Sequence, residues 1–171
     1  LLRLVDGISP YFVHLIRDPR AVAYSRQRVK SGPHGPPMRR FGAFYVASRW
    51  VARNVASHLV RLRYGADRSL LVRYEDFVAS PRSTVQTIAE FVGERPRRLP
   101  FLDERTARLG VNHTVFGNPS RFEMGTVKLR LDEEWRTGQR RMDWLVATLV
   151  SLPLLRRYGY PVLPGASTTR A

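Results

Sequence analysis

Residues 11–26 read YFVHLIRDPRAVAYSR, and this stretch decides the fold. Residues 11–16 (YFVHLI) are apolar and β-favouring apart from His14, and they follow Ser9-Pro10. They read as a short buried strand. Arg17-Asp18-Pro19 then turns the chain. Asp18 suits a helix N-cap and Pro19 a first helical turn, which predicts a helix over residues 20–30. Strand, tight turn and helix make the βα unit of an α/β protein.

Outward from this unit, residues 31–40 (SGPHGPPMRR) are a Gly/Pro-rich loop. Residues 41–64 predict a long amphipathic helix, with Phe44, Ser48, Val51, Val55, Leu59 and Leu62 on one stripe. Arg49, Arg53, Arg61 and Arg63 lie off that stripe, and Gly65 stops the helix. Residues 69–73 (SLLVR) read as a second strand, with Tyr74-Glu75-Asp76 at its end. Ser80-Pro81 starts a helix running to Val92, with Val85, Ile88, Ala89 and Val92 as its buried face. Residues 94–131 read as irregular. Asp132 opens a further helical stretch whose apolar part is 145–155, with Pro153 as an interruption. Trp135, Trp144, Leu154 and Tyr158 are expected in the core. Residues 1–5 read as helix and 164–171 as a loose tail, leaving one domain over 1–163.

A chain of 171 residues with 43% hydrophobic and 11% aromatic content can build a real core. It has no apolar run long enough to span a bilayer, and no signal-peptide pattern opens it. Cysteine is absent, which excludes disulfides and thiolate metal sites, and a cytoplasmic location is expected. Lys30 and Lys128 are the only lysines, so 27 of the 29 basic residues are arginine, and the net charge is +15. The arginines are spread over the whole length without a block of like charge, and no nucleic-acid module is recognisable. An anionic small ligand therefore fits better than a nucleic acid. The four histidines, His14, His34, His58 and His113, form no metal or triad pattern, and no metal is expected. His14 reads as a packed core residue.

Arg17 stands at the C-terminal end of a predicted strand, the edge at which open α/β sheets bind ligands. The next helix begins there, with free N–H groups and a positive dipole end. Ser25 sits about two turns into that helix. A long arginine and a helical hydroxyl are the groups that grip a phosphate. By chemistry alone, Arg17 paired with Asp18 or a helix carboxylate, beside a surface Ser25, is the better reading, since strand-end arginines are common.

The whole pattern FVHLIRDPRAVAYSR resembles the 3′-phosphate-binding element of sulfotransferases. In that superfamily an arginine at a strand end and a serine eight residues later hold the 3′-phosphate of 3′-phosphoadenosine 5′-phosphosulfate (PAPS). Arg17 and Ser25 match that interval. LLVRYEDF, residues 70–77, resembles the family strand ending in a Tyr-Glu-Asp group, which implies an adenine contact for Tyr74. A half-buried core role for Tyr74 remains open, and Glu75 and Asp76 read as structural. GNPSRF, residues 117–122, resembles the late loop over the 3′-phosphate, with Gly117 for close backbone approach and Arg121 as a second cation. The Arg-Lys-Gly cluster common there in cytosolic members is absent, and a surface turn is the alternative. Residues 129–160 are similar to the closing helices of bacterial sulfotransferases.

The resemblance implies a P-loop NTPase-like sulfotransferase fold, α/β in class, with a partial parallel sheet, flanking helices and a helical C-terminal part. It also implies sulfuryl transfer from PAPS to a hydroxyl or amine, on a small-molecule, lipid or carbohydrate acceptor. The family's Gly/Ser/Thr-rich 5′-phosphosulfate loop is not found, and the chain opens on Leu1 with its first methionine at Met38. That loop and the catalytic base are expected upstream of Leu1, so this chain alone is expected to turn over little. The competing readings are an ATP-using P-loop phosphotransferase and a basic polyanion-binding module.

Overall fold

The computed structural model describes residues 10–28, 39–111 and 123–163. The expected helix over 1–5 and tail over 164–171 lie outside the described residues. The fold is mixed α/β, with a small parallel sheet and helices against it.

β1 (Phe12–Ile16) and β2 (Ser69–Arg73) pair in parallel, from Phe12 opposite Ser69 to Ile16 opposite Arg73. Parallel neighbours need a long crossover. Here it contains α1 (Pro19–Gln27), α2 (Ala43–Tyr64) and a 3₁₀ turn (Ala66–Arg68). α1 starts as the sequence predicts: Asp18 Oδ1 accepts the Arg20 N–H at 2.9 Å, and Pro19 occupies the first turn. Gly65 ends α2 at φ 84°, a conformation open to glycine, and its N–H reaches the Arg61 carbonyl at 2.9 Å.

Beyond β2 come α3 (Tyr74–Ala79) and α4 (Pro81–Phe91). Val85, Ile88, Ala89 and Val92 are only half-buried, so the expected buried face of α4 is partly open. Residues 94–131 are not wholly irregular. β3 (Thr106–Leu109) and β4 (Gly125–Lys128) form an antiparallel pair. Each has four residues, too few to show an alternating pattern. α5 (Trp135–Gly138) and α6 (Arg141–Arg157) complete the described chain. α6 runs through Pro153 without interruption. Pro153 is exposed and withholds only the one N–H its position would have donated.

The core has two adjoining parts. Ile16, Trp50, Leu155, Tyr158 and Tyr160 form one, beneath the sheet. Ala23, Ala43, Val46, Ala47 and Ala147 form the other, where α1, α2 and α6 meet. Trp135 is also buried, whereas Trp144 and Leu154 are half-buried. The stripe read on α2 is not its buried face: Phe44, Val55, Leu59 and Leu62 are exposed. The covered face is the adjacent one, Ala43, Val46, Ala47, Trp50 and Asn54. Ala43 and Ala47 let α2 approach α1 and α6 closely, while Trp50 fills the other core part.

His14 is buried on the inner face of β1, and its Nε2 lies 2.8 Å from Asn54 Oδ1. The carboxamide oxygen can only accept, so Nε2 carries the proton. Nδ1 is buried without a partner among the described residues. Burial lowers the pKa of His14 below its ordinary 6.5, against the opposing hydrogen bond that Nε2–H donates to Asn54. The unfolded chain therefore takes up this proton before the folded one does. Stability from this group is present above pH 6.5 and is lost as pH falls below it. Urea unfolding at pH 7 and pH 5 is expected to show lower stability at pH 5, with a smaller drop in His14→Gln. Equal drops in the two proteins would exclude His14 as the source.

Candidate functional site

The site is built where β1 ends and α1 begins. Asp18 and Arg20 of the RDPR turn form a buried pair, with Arg20 Nη2 2.6 Å from Asp18 Oδ2 and Nε 2.9 Å from Oδ1. Arg20 is 2% exposed, and its guanidinium lies 5.2 Å from the Trp135 ring centroid and 5.6 Å from that of Trp144. Buried arginine is uncommon and needs this kind of pairing. The pair closes the turn on itself and carries the C-terminal helices against it.

Glu75, the second residue after β2, joins the ends of the two strands. Its Oε1 accepts the Asp18 N–H at 3.0 Å, and its Oε2 accepts the Tyr160 hydroxyl at 2.8 Å. The structural role read for Glu75 thus has defined partners. Burial, with the neighbouring Glu75 charge, holds Tyr160 far above the ordinary tyrosine range.

Arg17 projects from this frame. Its backbone carbonyl accepts the Trp50 indole N–H at 3.0 Å. Its guanidinium lies 4.6 Å from the centre of the Tyr74 ring. Nη2 also reaches the Asp132 side chain at 3.3 Å and the Asp132 carbonyl at 3.4 Å. Two of the site residues read from the sequence, Arg17 and Tyr74, are therefore in contact. The carboxylate on Arg17 is neither Asp18 nor a helix residue but Asp132, which sequence reasoning missed.

Arg17 borders two cavities. One, of about 420 Å³, is lined by Arg17, Arg73 and Arg136 and by five carboxylates, Asp18, Glu75, Asp76, Asp132 and Glu133. The other, of about 600 Å³, is lined by Arg17, Arg26, Arg49 and Arg53 with Tyr45, Trp50 and Tyr74, and by no carboxylate. An anion is favoured on the second side, where positive charge is not already matched. Ser25 is half-buried on α1, one turn beyond Ala21, and lines neither of these cavities. Gly117 and Arg121 lie outside the described residues, as do His34 and His113.

Residues 9–96 match the sulfotransferase family. The chain belongs to that family. The match covers β1, the RDPR turn, β2 and the Tyr-Glu-Asp group, the elements that hold Arg17 and Tyr74. Membership supports sulfuryl transfer in general. No curated protein matches the chain. Among the described residues, no helix is long and apolar enough to cross a membrane.

Tyr160→Phe removes a hydrogen bond to a carboxylate and should cost about 1.5–3 kcal/mol at pH 7 by denaturant unfolding. Because the folded state raises the Tyr160 pKa, its contribution is present below the ordinary value of 10.0 and is lost as pH rises past it. The variant should therefore lose less stability above pH 10 than the wild type, and an unchanged alkaline profile would remove Tyr160 as its cause.

Proposed function

We propose that the protein transfers a sulfuryl group from PAPS to a hydroxyl or amine acceptor, and that this chain supplies the 3′-phosphate and adenosine half of the donor site. The observation that carries the reading is Arg17, stacked on Tyr74 at the C-terminal edge of two parallel strands and beside a carboxylate-free, arginine-lined cavity. A charged guanidinium next to an aromatic ring suits a phosphate attached to a nucleoside. α1 begins at the same edge with its positive dipole end, although Asp18 already accepts its first N–H, that of Arg20. Ser25, Gly117 and Arg121 belong to the same reading as further 3′-phosphate contacts, as do a P-loop-like fold of bacterial type and a cytoplasmic location.

In such a transfer, a base takes the acceptor proton and the acceptor's lone pair attacks sulfur. The bond from sulfur to the bridging oxygen breaks, and 3′,5′-ADP leaves. Positive charge near the bridging oxygen stabilises the departing phosphate. Arg17 acts on the other end of the donor, as an anchor that fixes its position.

A second reading draws on the net charge of +15: a polyanion-binding module. It requires salt-sensitive DNA or RNA binding that survives Arg17→Ala. Under the donor reading, isothermal titration should show 3′,5′-ADP binding in preference to ATP. Arg17→Ala should then weaken 3′,5′-ADP by at least about tenfold, the scale of a charged hydrogen bond, with the circular dichroism spectrum unchanged. Preference for ATP would replace the sulfate donor by a phosphate donor.

A further inference from the structure

We propose that Asp132 is a built-in competitor for the 3′-phosphate, a residue that limits the affinity for 3′-phosphorylated nucleotide and speeds its departure after transfer. The inference rests on the donor reading of Arg17 and goes beyond it. Arg17 reaches Asp132 twice through one nitrogen, at 3.3 Å to the carboxylate and 3.4 Å to the carbonyl. Both contacts are long beside the 2.6 Å pairs Arg20–Asp18 and Arg28–Glu134. The Arg17–Asp132 pair is also partly exposed, with side chains 22% and 33% accessible. It is therefore a weak, water-accessible pair on the one cation that the two cavities share.

A phosphate dianion carries more charge than a carboxylate and can accept from the planar guanidinium in two places. It can take Arg17 from Asp132, but it has to displace the carboxylate first. The exchange has a structural consequence. Asp132 opens the turn into α5, where its Oδ1 accepts the Glu134 N–H at 3.3 Å. The Arg17 contact is one tie between this turn and the end of β1, beside the Arg20–Trp135 and Arg28–Glu134 contacts with α1. Occupying Arg17 with phosphate releases the tie, and Asp132 remains close enough to reclaim the guanidinium. The penalty falls only on ligands that use Arg17. A nucleotide without a 3′-phosphate does not pay it.

This selectivity gives the test. Affinities for 3′,5′-ADP and for 5′-AMP are measured by isothermal titration on the full chain and on Asp132→Asn, Glu133→Gln and Arg17→Ala. Dissociation is followed by stopped-flow displacement. Asp132→Asn should bind 3′,5′-ADP about two- to fivefold more tightly, the range for a partly exposed pair, through slower dissociation. Its affinity for 5′-AMP should not change. Glu133→Gln removes the same charge one residue away, from a carboxylate paired with Arg136 at 2.9 Å, and should not discriminate between the two nucleotides. Asp132→Ser, which keeps an oxygen for the Glu134 N–H, should behave like Asp132→Asn and guards against a folding defect.

Unchanged or weaker 3′,5′-ADP binding in Asp132→Asn would overturn the proposal and make Asp132 a support for Arg17. Equal tightening toward both nucleotides would overturn it as well, as a general charge effect. Failure of the donor reading looks different: wild type and Arg17→Ala would bind 3′,5′-ADP equally poorly, and both ideas would fall together.

Discussion

The ion pair between Asp18 and Arg20 is the constraint on which the rest of the site depends. Both partners sit in one turn, and both are almost fully withdrawn from water. A charge in that position is stable only with its partner, because an unpaired buried charge costs several kcal/mol. The pair therefore holds the turn in one shape. Asp18 is committed three times, to the Arg20 guanidinium, to the Arg20 backbone N–H and, through its own N–H, to Glu75. Arg17 is the residue just before it. Its backbone direction follows from a turn held by these contacts.

A second layer fixes what surrounds Arg17. Glu75 couples the ends of the two strands and reaches the last buried tyrosine of the chain, Tyr160. Trp50 holds the Arg17 carbonyl from α2, and Arg20 carries the indole rings of Trp135 and Trp144. Four segments far apart in sequence thus converge on one turn of three residues. The guanidinium of Arg17 is the part left free to exchange partners, since its contacts with Tyr74 and Asp132 are at the edge of water.

The βα unit and the strand at residues 69–73 were legible because their signals are local. An apolar run, an Asp-Pro cap and a glycine stop each act within a few residues. His14 was legible as a core residue for the same reason, lying in phase with Ile16 on one face of its strand. The burial of Arg20 was not, since arginine is by default a surface residue and its two tryptophans are more than a hundred positions away. Asp132 gave no signal either, standing 115 residues from Arg17. The face of α2 was misjudged because two adjacent stripes both repeat at steps of three and four, and the one that is covered carries three small or polar residues, Ala43, Ala47 and Asn54, beside Val46 and Trp50. The short β3–β4 pair escaped because four-residue strands carry little periodicity.

The alanine junction of α1, α2 and α6 has a consequence for variation in this chain. Ala23, Ala47 and Ala147 are each 0% exposed, and Ala43 is 3% exposed. Helix spacing at that junction is set largely by these methyl groups, with Val46 beside them and the stiff side chains of Val22, Val146 and Val150 packed around them, so an added carbon is poorly absorbed. A larger residue on α1 would lever the helix away from α2 and tilt the turn at its start. The tolerance of the nucleotide edge to substitution is then decided by the least reactive side chains in the protein, at some distance from any charge.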